Sequence, residues 1–334
     1  KEIDGLFDKN TSKKIKEYYS IKDLKNQRQV LHLSTYDKRL EKIISKANQT
    51  LYEERLNRSL PGLDDKIILS WNSLVVSALS KAGFAFNEKI YIDAAVKTHE
   101  FIFKNLWENQ TLYHSYKDQK KGHPGFLNDY AFLAAALIHL YEATFEIKWL
   151  LKAIDIDDLI HRNFEDKSKG GFFMTPSGQT DLIAREKPTD DGAIPSGNAI
   201  ALSNLVKLYH YTDRKYYRQR AEKTLKYYSD TLNRSPEYMS GMLPAIQLLA
   251  DPLKEIIIIT PKNEKQKADA FLDILRKKFL PDQVMIVVQE GKEFDSVSKT
   301  IPQVRGRSAL NGMTTVYPCE GNICQLPLTD PLKL

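Results

Sequence analysis

Residues 127–144 read LNDYAFLAAALIHLYEAT, an alanine- and leucine-rich run whose polar and aromatic residues gather at its start. A run of this length without a wide charged face predicts a helix buried on most sides. Two other segments resemble it, LSWNSLVVSALSKAG at 69–83 and IPSGNAIALSNLVKLYHYT at 194–212. Aligning Leu79 with Leu137 and Leu205 fixes offsets of 58 and 68 residues. The same offsets bring together Tyr91, Trp149 and Tyr217, then Ala95, Ala153 and Ala221, then Leu106, Phe164 and Leu232. Anchors that recur in register through the whole unit define an internal repeat.

After a short turn (FNEK, FEIK or YTDRK) each unit continues into a more charged segment, such as DRKYYRQRAEKTLKYYSDTL at 213–232. Its apolar residues recur at three- and four-residue steps, which predicts a helix with one solvated face. A buried helix, a tight turn and a half-exposed helix make an antiparallel helical hairpin. Hairpins in series predict a mainly α fold of inner and outer helices, either a curved helical array or a closed α/α toroid; closure as part of a six-hairpin barrel is an expectation from known folds and not from the spacing. A further outer-type helix is expected over Tyr36–Asn57 and an inner-type helix over Glu237–Ala250.

Beyond Asp251-Pro252 the pattern changes. KEIIIIT (254–260) and DQVMIVVQ (282–289) read as strands, with a helix between them over 263–280. Strand, helix and strand predict a small α/β unit with a parallel pair. The expected organisation is an N-terminal segment over 1–35, the hairpin region over 36–252 and the α/β unit over 253–334.

The 334 residues suffice for one large domain or two ordinary ones. The net charge is +6 with both signs interspersed, and no long basic stripe points to nucleic acid. No apolar run approaches the roughly 18 to 20 residues of a membrane span. Two cysteines, Cys319 and Cys324, are too few for a secreted disulfide scaffold, so a reducing, cytoplasmic compartment is expected. The first residue is Lys1, which reads as a fragment or a processed product.

Polar residues cluster before each inner helix: Trp71 and Asn72; Asn128, Asp129 and Tyr130; Arg185, Lys187, Asp190, Asp191, Ser196 and Asn198. Antiparallel hairpins place the inner-helix starts at one mouth. The connections 104–127 and 167–195 are long enough to carry function, and TLYHSYK and GGFFMT within them read as short strands. Gly192 and Pro195-Ser196-Gly197 let the chain turn into the third helix, with Ser196 or Asn198 as its cap. Carboxylates beside aromatic platforms suit a carbohydrate, whose ring faces stack and whose hydroxyls need acceptors. Asp129 and Asp191 are the expected acid/base pair, with the alternative that these mouth residues only cap helices and hydrogen-bond the loops. Trp71, Asn72, Tyr130, Arg185 and Asn198 are the expected substrate contacts. His99, His139, His161 and His210 stand alone on helices and read as packing or surface residues. The CEGNIC spacing lacks two further ligands for a metal site, leaving a closing disulfide or two free thiols. No metal or cofactor is expected.

DDKIILSWNSL, GFLNDYAFL, GGFFMT, DGAIPSGNAIALSNL and YPCEGNICQLP, in this order, resemble the family of proteins related to spermatogenesis-associated protein 20. The resemblance runs from about residue 28 to about residue 328, matching a C-terminal portion of the family pattern. It implies a thioredoxin-like domain followed by a six-hairpin toroid, similar to those of N-acylglucosamine 2-epimerase and the six-hairpin glycosidases. The thioredoxin-like domain and the early hairpins are missing here, so that domain or the absent toroid portion is an implied partner. Asn128 stands where the family has a second aspartate and Ser73 where it has glycine. The family motif keeps both cysteines, which implies a reversible structural or redox pair. The functional expectation is a toroid that binds or transforms a carbohydrate by epimerase, isomerase or glycosidase chemistry. The alternative is a non-enzymatic helical scaffold serving a thioredoxin-like redox domain.

Overall fold

The computed structural model describes residues 2–22, 30–33, 36–179, 182–188, 190–250, 254–279, 283–321 and 323–334. The expected boundary at Asp251-Pro252 and the start of the family resemblance at residue 28 lie outside the described residues. So do Leu280, Asp282 and Asn322. The chain divides into two compact units, residues 1–65 and 66–334.

The first unit contains α1 (Glu2–Leu6), α2 (Lys9–Tyr18) and α3 (Glu41–Leu56), the last entered through a single 3-10 turn at Lys38–Leu40. Asp8 caps α2 by accepting from the backbone N–H groups of Asn10 and Thr11. Ile15, Ile44 and Ala47 form its small core, with Ile3, Phe7 and Leu40 packed against it. The helix expected over Tyr36–Asn57 thus belongs to this unit.

In the second unit β1 (Ile67–Ile68) leads into α4 (Leu69–Phe86), which turns into α5 (Lys89–Asn105). The first long connection holds four short strands: β2 (Trp107–Glu108), β3 (Thr111–Leu112), β4 (Ser115–Lys117) and β5 (Lys120–Lys121). β2 pairs with β3, while β1, β4 and β5 form an antiparallel sheet in the order β1-β4-β5. The second hairpin is α6 (Leu127–Thr144) and α7 (Ile147–Asn163), and the third is α8 (Gly197–Thr212) and α9 (Lys215–Arg234). The three expected hairpins are therefore all present. GGFFMT makes one isolated bridge, Glu165 to Phe172, where a strand was expected. Over 236–250 the expected single helix is a 3-10 segment, Pro236–Met242, with non-helical dihedrals at Met239, followed by α10 (Leu243–Ala250).

The repeat register survives into the backbone. Asn87, Phe145 and Asp213, which share one position at the offsets read from sequence, are the C-caps of α4, α6 and α8, with φ of 55°, 53° and 52°. This left-handed residue reverses the chain in each hairpin. α6 packs on α4, α7 and α8, which explains why it has almost no polar residue in its middle turns. Leu127, Ala131, Ala134, Leu137, Ile138 and Leu140 are all fully buried in one core.

The C-terminal part contributes β6 (Lys254–Thr260), α11 (Asp269–Leu275), β7 (Gln283–Gln289), α12 (Lys292–Thr300), β8 (Thr315–Glu320) and β9 (Ile323–Cys324). α11 occupies the middle of the helix expected over 263–280, after a 3-10 turn at Lys265–Ala268. The sheet order is β7-β6-β8-β9, with β6 parallel to β7 as expected and antiparallel to β8. The four isoleucines of β6 are buried on both faces. Ile257 and Ile259 join the core of the helical hairpins. Ile256 and Ile258 pack with Phe271, Leu272 and Leu275 of α11. A strand covered on both sides reads as a continuous apolar run because neither face meets water.

The outer helices are fastened by a buried ion network. Arg220 on α9, 5% exposed, donates to both Asp157 on α7 and Glu165, and His161 also bonds Glu165 at 2.8 Å. Burial disfavours the charge on Arg220, but Asp157 and Glu165 hold its guanidinium above the ordinary arginine range. Removing the cation alone leaves two buried carboxylates without it. Arg220→Met is expected to lower stability by about 3–5 kcal/mol, read as a shifted urea midpoint with an unchanged slope. A change below about 1 kcal/mol would show that the carboxylates find other partners.

Candidate functional site

The starts of the three inner helices lie side by side. Ser70, at the start of α4, donates its backbone N–H to Asp129 Oδ1 at 3.1 Å. A β-carbon on Gly197, the first residue of α8, would come within 2.3 Å of Asn128 Oδ1 near the start of α6. The shared end read from the repeat is thus observed, but the polar residues there face the backbone of the loops.

Asp129 is fully buried. Its Oδ2 accepts from the Phe126 N–H at 2.9 Å and bonds His114 Nδ1 at 2.9 Å, while Oδ1 holds Ser70. That hydrogen bond raises the His114 imidazole above its usual pKa, against the opposing effect of partial burial. Tyr130 is also buried, and its hydroxyl accepts from the Leu112 N–H at 3.0 Å. Asp191 ties the second connection in two directions: Oδ1 accepts from the Ser196 N–H at 2.8 Å and Oδ2 from the Gly241 N–H at 2.6 Å. Gly241 permits this approach, since a β-carbon there would sit 3.0 Å from Oδ2.

Asn198 is buried and clamps Phe172 through that residue's N–H and carbonyl, with a further bond to the Pro188 carbonyl at 3.0 Å. Ser196 is the observed cap of α8, accepting from the Ala199 N–H. Arg185 donates to the carbonyls of Asn163 and Thr175 and lies over the Phe173 ring. Asn72 donates to the Ile68 carbonyl at 2.8 Å. Trp71 is 60% exposed. The expectation that these side chains converge on one open cavity is therefore corrected. Asp129 joins Tyr130 in holding the first connection, Asp191 and Asn198 hold the second, and Trp71 stands in solvent.

A cavity of about 700 Å³ lies elsewhere, against the middle and later turns of the inner helices, with α10 and the start of β7 on its far side. None of the seven expected catalytic and substrate-contact residues lines it. Its polar lining includes Lys81 from α4, His139 and Glu142 from α6, and Asn204, Lys207 and His210 from α8. Lys207 Nζ donates to Glu142 Oε1 at 2.6 Å, and the Tyr211 hydroxyl donates to the same oxygen at 3.3 Å. His210 Nε2 bonds the Leu248 carbonyl at 3.1 Å; a carbonyl only accepts, so that nitrogen carries the proton. His139 Nδ1 is buried without a hydrogen-bond partner among the described residues. Burial, with Lys207 and Lys81 adding to it, holds the His139 imidazole well below its usual pKa and therefore neutral. Burial also lowers the Lys81 ammonium, Lys207 lowers it further, and Glu142 opposes both. Phe84, Ile200, Leu248 and Met285 supply apolar wall.

The signal for this site was present in the repeat alignment. The offsets that superpose Leu79, Leu137 and Leu205 also superpose Lys81, His139 and Lys207, and then Phe84, Glu142 and His210. Reading His139 and His210 one at a time, as isolated helical histidines, hides this shared position. His99 does pack as expected, between Phe103 and Trp149. Among the described residues no group of three or more His, Cys, Asp or Glu could hold a metal ion, and no helix is long and apolar enough to cross a membrane.

In the tail, Cys319 and Cys324 face each other across β8 and β9 and are joined by a disulfide with a Cα–Cα distance of 3.9 Å. Arg307 Nη2 approaches both sulfurs, at 3.4 Å and 3.0 Å. Cys319 is buried and Cys324 is exposed.

The His114–Asp129 contact has a defined pH signature. A histidine whose folded pKa is raised contributes stability that is complete below its unfolded pKa, near 6.5. That contribution is lost as pH rises through the folded value. His114→Asn is therefore expected to cost more melting temperature at pH 5.5 than at pH 9, read from paired thermal melts. An equal loss at both pH values would mean that the imidazolium contributes nothing.

No protein-family model matches the chain. Spermatogenesis-associated protein 20 of Homo sapiens is 28% identical over 310 residues, 87% of this chain and 38% of the human protein. The protein of that name from Rattus norvegicus is 29% identical over 297 residues, 86% of this chain and 37% of the rat protein. Cellobiose 2-epimerase from Spirochaeta thermophila is a solved structure with a TM-score of 0.41, at 18% identity, over 58% of this chain and 55% of that one. The chain thus spans under two fifths of the mammalian proteins it matches, and over most of its own length it is a homologue of the proteins named spermatogenesis-associated protein 20.

Proposed function

We propose that this chain binds a small polyhydroxylated ligand, of the carbohydrate or polyol class, in the cavity between α4, α6 and α8. The observation that carries this reading is the lining itself. Equivalent positions of three successive inner helices deliver Lys81, His139 and Lys207 to one space. Donors and acceptors alternate there with apolar walls at Phe84, Ile200 and Leu248. A sugar presents the matching surface, hydroxyls at its rim and C–H groups on its faces. Glu142, held by Lys207 and Tyr211, is the group placed to accept from a hydroxyl. In this reading Asp129, Asp191, Asn198 and Arg185 keep the connecting loops in place and shape the helix starts. Whether the bound ligand then reacts by epimerase, isomerase or glycosidase chemistry is a question of turnover, separate from binding. Ser203 lines the same space and its side chain makes no hydrogen bond among the described residues, so Ser203→Phe fills the cavity without removing one. Thermal shift and calorimetry with hexoses and hexitols are expected to show saturable binding by the wild-type chain. Ser203→Phe should reduce that binding at least tenfold (about 1.4 kcal/mol) while retaining a cooperative melt. Equal binding by both proteins would move the ligand out of this cavity, and a silent panel would sink the reading.

A second reading concerns the tail and follows the scaffold alternative. We infer that the Cys319–Cys324 disulfide cycles with its dithiol, in exchange with a thioredoxin-like partner. The supporting observation is Arg307, whose guanidinium lies against both sulfurs and would stabilise the thiolates formed on reduction. Exposed Cys324 is the sulfur open to attack. Replacing Arg307 by Met should make the disulfide harder to reduce, with a more negative midpoint in a glutathione titration of the folded chain. An unchanged midpoint, or a disulfide that reduces only on unfolding, would make the bridge purely structural.

A further inference from the structure

The charges of the described residues that line the cavity do not cancel. Glu142 is engaged by Lys207, and His139 and His210 are neutral, because burial lowers both imidazoles. Lys81 is left over. It lines the cavity, reaches solvent at the opening, and makes no hydrogen bond or ion pair among the described residues. Beside it lies His139, whose Nδ1 is buried and unpartnered. An unpaired ammonium and an unsatisfied imidazole at one wall are an arrangement completed by an acceptor that brings its own negative charge. Neutral hydroxyls satisfy the hydrogen bonds but leave the charge.

Resting on the polyol reading above, we propose that the ligand is an acid sugar, a monosaccharide or aldonate carrying one carboxylate, with Lys81 binding the carboxylate and Glu142 and Asn204 facing its hydroxyls. The geometry favours a single negative charge, because among the described residues lining the cavity one cation, Lys81, has no ion-pair partner, while Lys207 is paired with Glu142. A phosphate dianion would leave one charge unmatched unless the Glu142–Lys207 pair opened. His139, at the position of Lys81 in the next repeat, donates or accepts at the same end of the ligand. Lys81 is exposed and makes no hydrogen bond or ion pair among the described residues, so its replacement by Met removes no such contact from the fold.

The test is calorimetry on the full chain, wild type and Lys81→Met, with glucose, sorbitol, glucuronate, galacturonate, gluconate and glucose 6-phosphate. The expected result is that at least one of the three carboxylates binds the wild type roughly tenfold or more tightly than either neutral compound, as a charge-assisted contact predicts. Lys81→Met should remove that advantage, so that carboxylates and neutral sugars bind the variant within about twofold of one another. Carboxylates and neutral sugars binding equally would overturn the inference and leave the polyol reading standing. A carboxylate preference that persists in Lys81→Met would overturn the role of Lys81. Glucose 6-phosphate binding tighter than every carboxylate would overturn the single-charge assignment. Binding of none of the six would overturn the polyol reading and this inference together.

Discussion

The second unit depends on a single buried carboxylate. Asp129 receives the backbone N–H of Ser70 from the start of α4, the N–H of Phe126 from the start of its own helix, and the imidazole of His114 from the first connection. Two segments distant in sequence, and the entry to α6 itself, are thereby fixed to one side chain. A fully buried carboxylate is tolerated only where its oxygens are occupied by donors, and here donors of high strength supply both oxygens. Asp191 repeats the device one hairpin later, between Ser196 and Gly241. Each long connection is thus pinned to the helix it precedes, and the inner helices can present their later turns to a shared space.

That arrangement separates two tasks that proximity in sequence merges. The polar residues before each inner helix hold loops, whereas the polar residues two to four turns further on line the cavity. Short polar clusters at helix starts are conspicuous because they interrupt an apolar run. A lysine or histidine within the run is less so, since one polar residue per helix disturbs the composition little. Only the superposition of the three repeats shows that Lys81, His139 and Lys207 occupy one position.

The hairpins, their turns, the parallel β6–β7 pair and the isoleucine strand were all legible, because each rests on periodicity or on a run of one residue type. What was not legible rests on contacts between distant segments. Nothing in the local sequence says that Asp129 faces Ser70 and His114 instead of a ligand; a cap and a general acid have the same neighbours in the chain. Likewise Glu237–Ala250 has the composition of one helix, but it breaks at Met239, beside the Tyr238 carbonyl and the Gly241 N–H that receive and bind Asp191. The expected strand at GGFFMT fails for a related reason: Asn198 takes the N–H and the carbonyl of Phe172, which a ladder partner would otherwise occupy.

Phe145 shows how the hairpins and the sheet are made interdependent. Its backbone is the left-handed reversal at the end of α6, where Asn87 and Asp213 serve in the other hairpins. An aromatic residue is poorly suited to that conformation. Its ring, however, is buried with Ile256, Ile258, Val287 and Val316 of the sheet. Substituting the residue the turn prefers would relax the backbone while uncoupling the second hairpin from the strands. Local optimum and global cohesion therefore oppose each other at this position, and a directed-evolution campaign that rewards only heat resistance should leave it untouched while freely exploring its two counterparts.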